Sequence, residues 1–166
     1  SLQKKLLIDE DYRISKTEKI DRIFFPINEK NSFKINKFFR ELTKNKEKNK
    51  KLIEVKGRKF NIDEFYQGFA RFDFQDLCNK NIGAEDYLKI AESCKFALIK
   101  NIPNFTETNS NQQNRFITLI DIFYEKKVLL MISCEANLNS LTSSKKHSSA
   151  FRRTLSRLHE LTTINK

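Results

Sequence analysis

The chain has 166 residues and a mass of 19.7 kDa, a length typical of one domain. Hydrophobic residues make up 39% of it and include 15 Phe, which is enough apolar side chain for a packed core and argues against a disordered chain. The 32 Lys and Arg residues outnumber the 21 Asp and Glu residues, and the longest apolar run, residues 128–132, is far shorter than the roughly 20 residues of a membrane-spanning helix.

Residues 1–50 are predicted to form a connecting segment with one helix and a Lys-rich loop, ahead of an α/β domain over residues 51–166. The chain starts at Ser1 and its only methionine is Met131, so we expect a processed or cut end rather than a natural start. The helix is expected over residues 32–43, where apolar residues recur near helical spacing.

The densest basic run, residues 44–51, contains no apolar side chain. Such a run predicts a solvated loop, and the alternative is a cluster of cations that neutralises nucleic-acid phosphates. Because no aromatic side chain is interleaved with the lysines, a base-stacking surface is not indicated, and nucleic-acid binding is the less favoured interpretation.

Alternating apolar and polar residues predict an antiparallel hairpin of residues 52–55 and 59–62, joined through Gly57. A third strand is expected over residues 68–74. Acidic residues after Gly83 then mark the first turn of a helix, because they favour the positive end of its dipole. The buried stripe of this helix is predicted to be Tyr87, Leu88, Ala91 and Cys94.

The second half of the chain predicts a strand, a helix and a strand. Residues 96–99 and 128–132 are entirely apolar, whereas residues 112–126 carry apolar side chains at i, i+3, i+4 and i+7 from Phe116. Two apolar strands joined by a helix are typical of a βαβ crossover in a parallel sheet covered on both faces. A polar loop leads to a last helix from about Ala150. The predicted fold class is therefore α/β, a βαβ parallel-sheet core flanked by helices with an antiparallel hairpin or meander on the N-terminal side.

The sequence offers few candidates for a phosphate-binding loop, a reactive cysteine or a metal site. With only three Gly residues, the chain contains no G-x-x-x-x-G-K loop to hold phosphates. The three cysteines include no C-x-x-C pair, and we expect them to be reduced and to fill the core. Neither His147 nor His159 has a Cys or carboxylate at ligand spacing, so no metal site is predicted.

The last helix carries the most informative cluster. Arg153 and Arg157 are four residues apart, so a helix places both guanidinium groups on one face, where they could grip an anion. Glu160 lies about one turn from Arg157 and could hold it in place. The alternative is an ordinary charged helix face whose arginines pair with Asp and Glu, and spacing leaves both interpretations open.

Residues 151–160, F-R-R-T-L-S-R-L-H-E, resemble the F-x-R-T-x-S-R-L-x-E-M ending of the ZapE-type AAA+ ATPases, a family whose mitochondrial members are the lactation-elevated proteins. Residues 115–121, R-F-I-T-L-I-D, together with Tyr124 are similar to a second motif of that family. Shorter similarities extend back through residues 70–74 to residues 11–13. The sequence departs from the family pattern at Asn114, at Leu161 and in the loop around Ser143.

The resemblance implies that this chain is the C-terminal part of an ATPase whose P-loop and magnesium-binding strand lie upstream. ATP and Mg²⁺ would be cofactors of the full-length protein, and neither is expected to bind this chain alone, which would not be an enzyme by itself. Arg153 and Arg157 would act as nucleotide sensors or as an arginine finger, and Arg115 as a further nucleotide-facing residue. Lys100 and Asn101 end a strand where an acidic pair would be needed to hold magnesium.

By the same resemblance, the full-length protein would hydrolyse ATP to remodel protein partners, either the division protein FtsZ or membrane-protein substrates of the respiratory chain. It would form homo-oligomers and work in the cytoplasm at the periphery of the inner membrane, or in the mitochondrial matrix of a eukaryote. Two other classes stay open: a nucleic-acid-binding module that uses residues 44–51 and the basic last helix, and a pure protein-interaction domain.

Overall fold

The computed structural model describes residues 22–79 and 81–163. The segment at residues 11–13 that carries part of the family resemblance lies outside these ranges. The strands are β1 (Ile23–Phe24), β2 (Lys51–Val55), β3 (Arg58–Ile62), β4 (Glu64–Tyr66), β5 (Phe69–Asp73), β6 (Phe96–Ile102) and β7 (Leu129–Cys134). The helices are α1 (Glu29–Thr43), α2 (Phe74–Cys78), α3 (Ala84–Ser93), α4 (Ser110–Glu125) and α5 (Ser148–Thr162).

The main sheet has five strands in the order β1, β7, β6, β5, β4. The first four run parallel, and β4 pairs antiparallel with β5 at the far edge. The predicted crossover is confirmed as β6, α4 and β7, and the predicted hairpin is confirmed as β2 and β3, which form a sheet of their own. The molecule therefore has the predicted α/β fold class.

Both faces of the main sheet are covered because its inner strands are apolar on both sides. On one face, the side chains of Phe69, Phe96 and Leu98 pack against α1. On the other, alternate residues of the same strands, such as Ala97 and Ile99, join the larger core with α3, α4 and α5. Through β1 and α1, part of the predicted connecting segment thus shares a sheet and a core with the strands of residues 51–166.

Two details of the predicted helices are wrong. α1 begins three residues before the predicted start because the Asn28 side chain caps it, accepting a hydrogen bond of 2.8 Å from the Asn31 backbone N–H. In α3, Leu88 is 39% exposed and Ile90 is fully buried. The packed face of that helix follows Tyr87, Ile90 and Ala91, which are three and four residues apart, and Leu88 lies outside that stripe.

The three cysteines are free and buried in the larger core, as expected of small apolar side chains. Burial raises the pKa of the Cys94 and Cys134 thiols to about 12, and it also raises the pKa of Cys78. All three therefore stay protonated near neutral pH.

Candidate functional site

The predicted arginine cluster lies between the last two long helices. α5 buries Phe151, Thr154 and Leu158, which are three and four residues apart, in contact with α4 and β7. This packing leaves Arg153 and Arg157 on the flank of α5 that faces α4. The side chains are 49% and 27% exposed, respectively.

Both arginines bind the same carboxylate, that of Asp121 on α4. Arg153 Nη2 lies 3.0 Å from Asp121 Oδ2, and its Nε lies 3.4 Å from Oδ1. Arg157 Nη1 lies 2.5 Å from Oδ1. Two guanidinium groups thus share one negative charge, so these three side chains carry a net positive charge.

A tyrosine extends the cluster. The guanidinium carbon of Arg157 lies 4.6 Å from the centroid of the Tyr124 ring, a cation–π contact. The Tyr124 hydroxyl donates a hydrogen bond to Glu160, and this bond together with the negative charge of Glu160 raises the pKa of Tyr124. Asp121 and Tyr124 belong to one of the two longer motifs quoted above, and the residues of α5 belong to the other. The two motifs therefore form one contact cluster.

Arg115 makes a different contact. Its Nη1 donates a hydrogen bond of 3.1 Å to the carbonyl oxygen of Cys78, the last residue of α2. The side chain therefore links α4 to α2, and its predicted role toward a nucleotide stays a prediction.

A second polar region lies at the carboxyl ends of β5 and β6, the edge at which α/β proteins commonly bind ligands. Asn101 has a φ of 67°, uncommon for a residue other than glycine, where the register between β6 and β7 shifts. Its side-chain nitrogen lies 2.7 Å from Asp73 Oδ2, and its backbone N–H donates to Ser133 Oγ at 2.8 Å. These bonds hold the irregular backbone in place.

The Lys-rich run packs in part against β4. Lys48 Nζ lies 3.3 Å from Glu64 Oε1, and the Asn49 backbone N–H donates to the Phe65 carbonyl at 2.9 Å. Lys46 Nζ lies 4.7 Å from the centroid of the Phe69 ring. Most side chains of the run are exposed, as predicted, but these contacts attach it to the sheet edge.

The comparison with known proteins decides the family. The model of the AFG1-like ATPase family matches residues 7–165. The chain belongs to this family. The predicted resemblance to the AAA+ ATPases of the ZapE and lactation-elevated type is thereby confirmed, and the arginine cluster described above lies within the matched region.

Three curated relatives are similar to this chain over most of its length. Lactation elevated protein 1 homolog B of Danio rerio is 31% identical over 134 residues, which cover 79% of this chain and 27% of the relative. Cell division protein ZapE of Escherichia coli strain K12 is 24% identical over 151 residues, which cover 91% of this chain and 40% of ZapE. An uncharacterised protein of Schizosaccharomyces pombe is 28% identical over 133 residues, which cover 79% and 29% of the two chains.

The chain thus spans 40% or less of the length of these curated relatives. No solved structure matches it significantly. Within residues 22–79 and 81–163, no helix combines the length and the apolar character needed to cross a bilayer. The same ranges contain no group of three or more His, Cys, Asp or Glu side chains arranged to hold a metal ion.

Sequence reasoning singled out Arg153 and Arg157 but not the carboxylate that both of them bind. Asp121 stood in a quoted motif, yet it is 32 residues from Arg153 along the chain. Only the packing of α4 against α5 brings the two together. Arg71 lines a cleft at the carboxyl end of β5 but was not predicted as a site residue. It lies in a strand whose alternating side chains indicated sheet packing alone.

Proposed function

We propose that this chain is the C-terminal region of an ATP-hydrolysing AAA+ protein that remodels protein partners, and that Arg153 and Arg157 are its anion-facing residues. The family match over residues 7–165 supports the ATPase assignment. The observation that supports the role of the two arginines is that they share the single carboxylate of Asp121, so the cluster keeps an unneutralised positive charge that an ordinary one-to-one ion pair would not have.

The arginine cluster retains N–H groups that could donate hydrogen bonds to a ligand. Arg157 reaches Asp121 through Nη1 alone, and its remaining N–H groups make no hydrogen bond to a described residue. A phosphate offers acceptor oxygens that a guanidinium can bind in a bidentate manner. Asp121 and Tyr124 restrict the position of the Arg157 side chain, and this supports a role as an arginine finger or sensor, which needs a fixed guanidinium group.

ATP and Mg²⁺ belong, in this proposal, to the part of the protein outside this chain. The residues that end β6 do not fit Mg²⁺, because Lys100 is a cation and the Asn101 side chain donates to Asp73. The sequence has no glycine-rich loop for phosphates. This chain would therefore supply arginines to a nucleotide that is bound elsewhere, on the same protein or on a neighbouring copy in a homo-oligomer.

The partner and the compartment are proposed from the family resemblance. The name of the Escherichia coli relative assigns that protein to cell division. In line with this and with the family resemblance, we propose FtsZ as the partner in a bacterium, with the full-length protein in the cytoplasm near the inner membrane. For a mitochondrial protein, the partners would be membrane-protein subunits of the respiratory chain, met in the matrix.

The test is Arg157→Ala in the full-length protein. Arginine fingers contribute about a thousandfold or more to phosphoryl transfer, so we expect ATP turnover to fall by at least about tenfold even for an auxiliary role. Arg152→Ala is the matched control, because Arg152 is exposed on the same helix and makes no ion pair with a described residue. Unchanged turnover in Arg157→Ala, with an intact circular dichroism spectrum, would exclude the role.

The isolated 166-residue chain provides a second test. It should hydrolyse no ATP, with or without Mg²⁺, because the proposal locates the phosphate-binding loop elsewhere. Magnesium-dependent hydrolysis by this chain would overturn the proposal.

One observation favours a second candidate, a nucleic-acid-binding module. On α1, Lys30, Lys34, Lys37 and Arg40 are exposed, lie on one side of the helix and make no ion pair with a described residue. If they bind phosphates, the affinity for a random duplex should fall steeply between about 50 and 200 mM salt. A lack of binding at the lower salt concentration would eliminate this candidate.

A further inference from the structure

A cleft of about 440 Å³ opens at the carboxyl ends of β5 and β6, beside the hairpin. The sheet contributes Arg71, Asp73 and Lys100 to its lining, α1 contributes Asn36, and β3 contributes Phe60. A cavity of this size can hold a small organic molecule. The cleft is separate from the arginine cluster between α4 and α5, so its occupant does not depend on the function proposed above.

Strand alternation explains why this part of the sheet is polar. On the face that α1 covers, β5 presents Phe69 and then Arg71, and β6 presents Phe96, Leu98 and then Lys100. The rings of Phe69 and Phe96 stack with centroids 5.3 Å apart inside the α1 core. Toward the carboxyl ends of both strands the same face becomes charged, although neighbouring positions are filled by apolar side chains.

The two cations of the cleft converge on one neutral atom. Arg71 Nη1 lies 3.4 Å from Asn36 Oδ1, and Lys100 Nζ lies 3.5 Å from the same oxygen. Lys100 forms no ion pair with a described residue. Burial of its side chain and the positive charge of the neighbouring Arg71 lower the pKa of Lys100. The negative charge of Asp73 acts in the opposite direction but does not offset them.

The carboxylates inside the cleft are already engaged. Asp73 accepts hydrogen bonds from the Gln75 backbone N–H at 3.0 Å and from Asn101 at 2.7 Å. Glu64 accepts from the Tyr66 hydroxyl at 2.8 Å and pairs with Lys48 and Arg71. The other two acidic side chains of the lining, Asp63 and Asp76, are exposed at its rim. Lys100 is therefore the cation of the lining that forms no ion pair with a described residue.

We infer that the cleft binds a small molecule through an oxyanion, a phosphate or a carboxylate group, held between Lys100 and Arg71. An oxyanion at this point would replace the long contacts to Asn36 Oδ1 with charge-assisted hydrogen bonds, which are shorter and stronger. Phe60 provides an apolar wall for the rest of the molecule.

Titration of the ¹⁵N-labelled 166-residue chain with phenyl phosphate and, separately, with benzoate tests the inference. The two probes share a ring and differ in the oxyanion, so the tighter binder identifies the preferred class. We expect saturable shifts of the amide signals of Arg71, Asp73 and Lys100. The absence of saturable binding for both probes would overturn the inference.

Matched variants locate the binding. Lys100→Met should weaken it by about tenfold or more, because a hydrogen bond to a charged group is lost. Lys89→Met, which removes an exposed lysine of α3, should leave the affinity unchanged. Equal loss in the two variants would reduce the binding to nonspecific charge attraction and would contradict the inference.

A second variant tests the site independently, in case Lys100→Met disturbs the fold. Asn36→Asp places a carboxylate at the atom that both cations already face, so it should occupy the oxyanion position and abolish probe binding. Its effect acts through the ligand site and not through loss of a core side chain, because Asn36 is only partly buried. Unchanged affinity in this variant would overturn the inference.

Discussion

At the scale of single residues, one carboxylate organises the surface between α4 and α5. Asp121 binds both Arg153 and Arg157, but the two arginines differ in their surroundings. Arg153 is 49% exposed, whereas Arg157 is 27% exposed and also lies against the Tyr124 ring. Because solvent screens exposed ion pairs, the contact of Asp121 with Arg157 should be the stronger of the two.

Double-mutant cycles with Asp121→Ala test this difference. We expect a coupling energy of about 1 kcal/mol with Arg157→Ala and at most about 0.5 kcal/mol with Arg153→Ala. Urea unfolding of the single and double variants measures both values. Equal couplings, or a larger value for Arg153, would contradict the assigned geometry.

At the scale of elements, one buried arginine attaches the short strand β1 to the rest of the molecule. Arg22 is 1% exposed, and its Nε donates to the Leu130 carbonyl of β7 at 3.0 Å. Its Nη2 donates to the Leu161 carbonyl of α5 at 3.2 Å. The side chain therefore connects one edge of the sheet with the last helix, which carries the arginine cluster.

Arg22→Met should destabilise the fold because it keeps much of the side-chain volume but removes every donor. The two carbonyl groups would lose charge-assisted partners, and we expect the free energy of unfolding to fall by about 3 kcal/mol. Arg40→Met, at an exposed position of α1, should change it by less than about 0.5 kcal/mol. Urea unfolding compares the two variants, and similar effects would show that the buried contacts of Arg22 contribute little.

At the scale of the whole molecule, local patterns predicted most of the core. The crossover of β6, α4 and β7 and the hairpin were foreseeable because hydrophobic periodicity is a local signal. β1 was not, because a two-residue strand carries no periodicity and Pro26 lies only two positions beyond its end, and its pairing with β7 joins residues more than 100 positions apart. The same distinction holds for the candidate sites. Helical spacing predicted that the two arginines of α5 lie on one face, whereas the contact with Asp121 and the cleft at Lys100 depend on long-range packing.

The buried thiols lead to a prediction about the stability of the whole chain in alkaline solution. An unfolded Cys titrates near pH 8.5, while burial raises the pKa of Cys134 to about 12 in the folded chain. Above about pH 8.5 the unfolded state loses a proton that the folded state keeps, so the contribution of Cys134 to stability is lost progressively as pH rises toward 12. Between pH 7.5 and 9.5, the free energy of unfolding should therefore fall by about 1.4 kcal/mol more in the unsubstituted chain than in Cys134→Ala. Urea unfolding of both proteins at the two pH values isolates this thiol, because all other titrating groups are common to both. An equal pH dependence would mean that the Cys134 thiol is accessible to water in the folded protein.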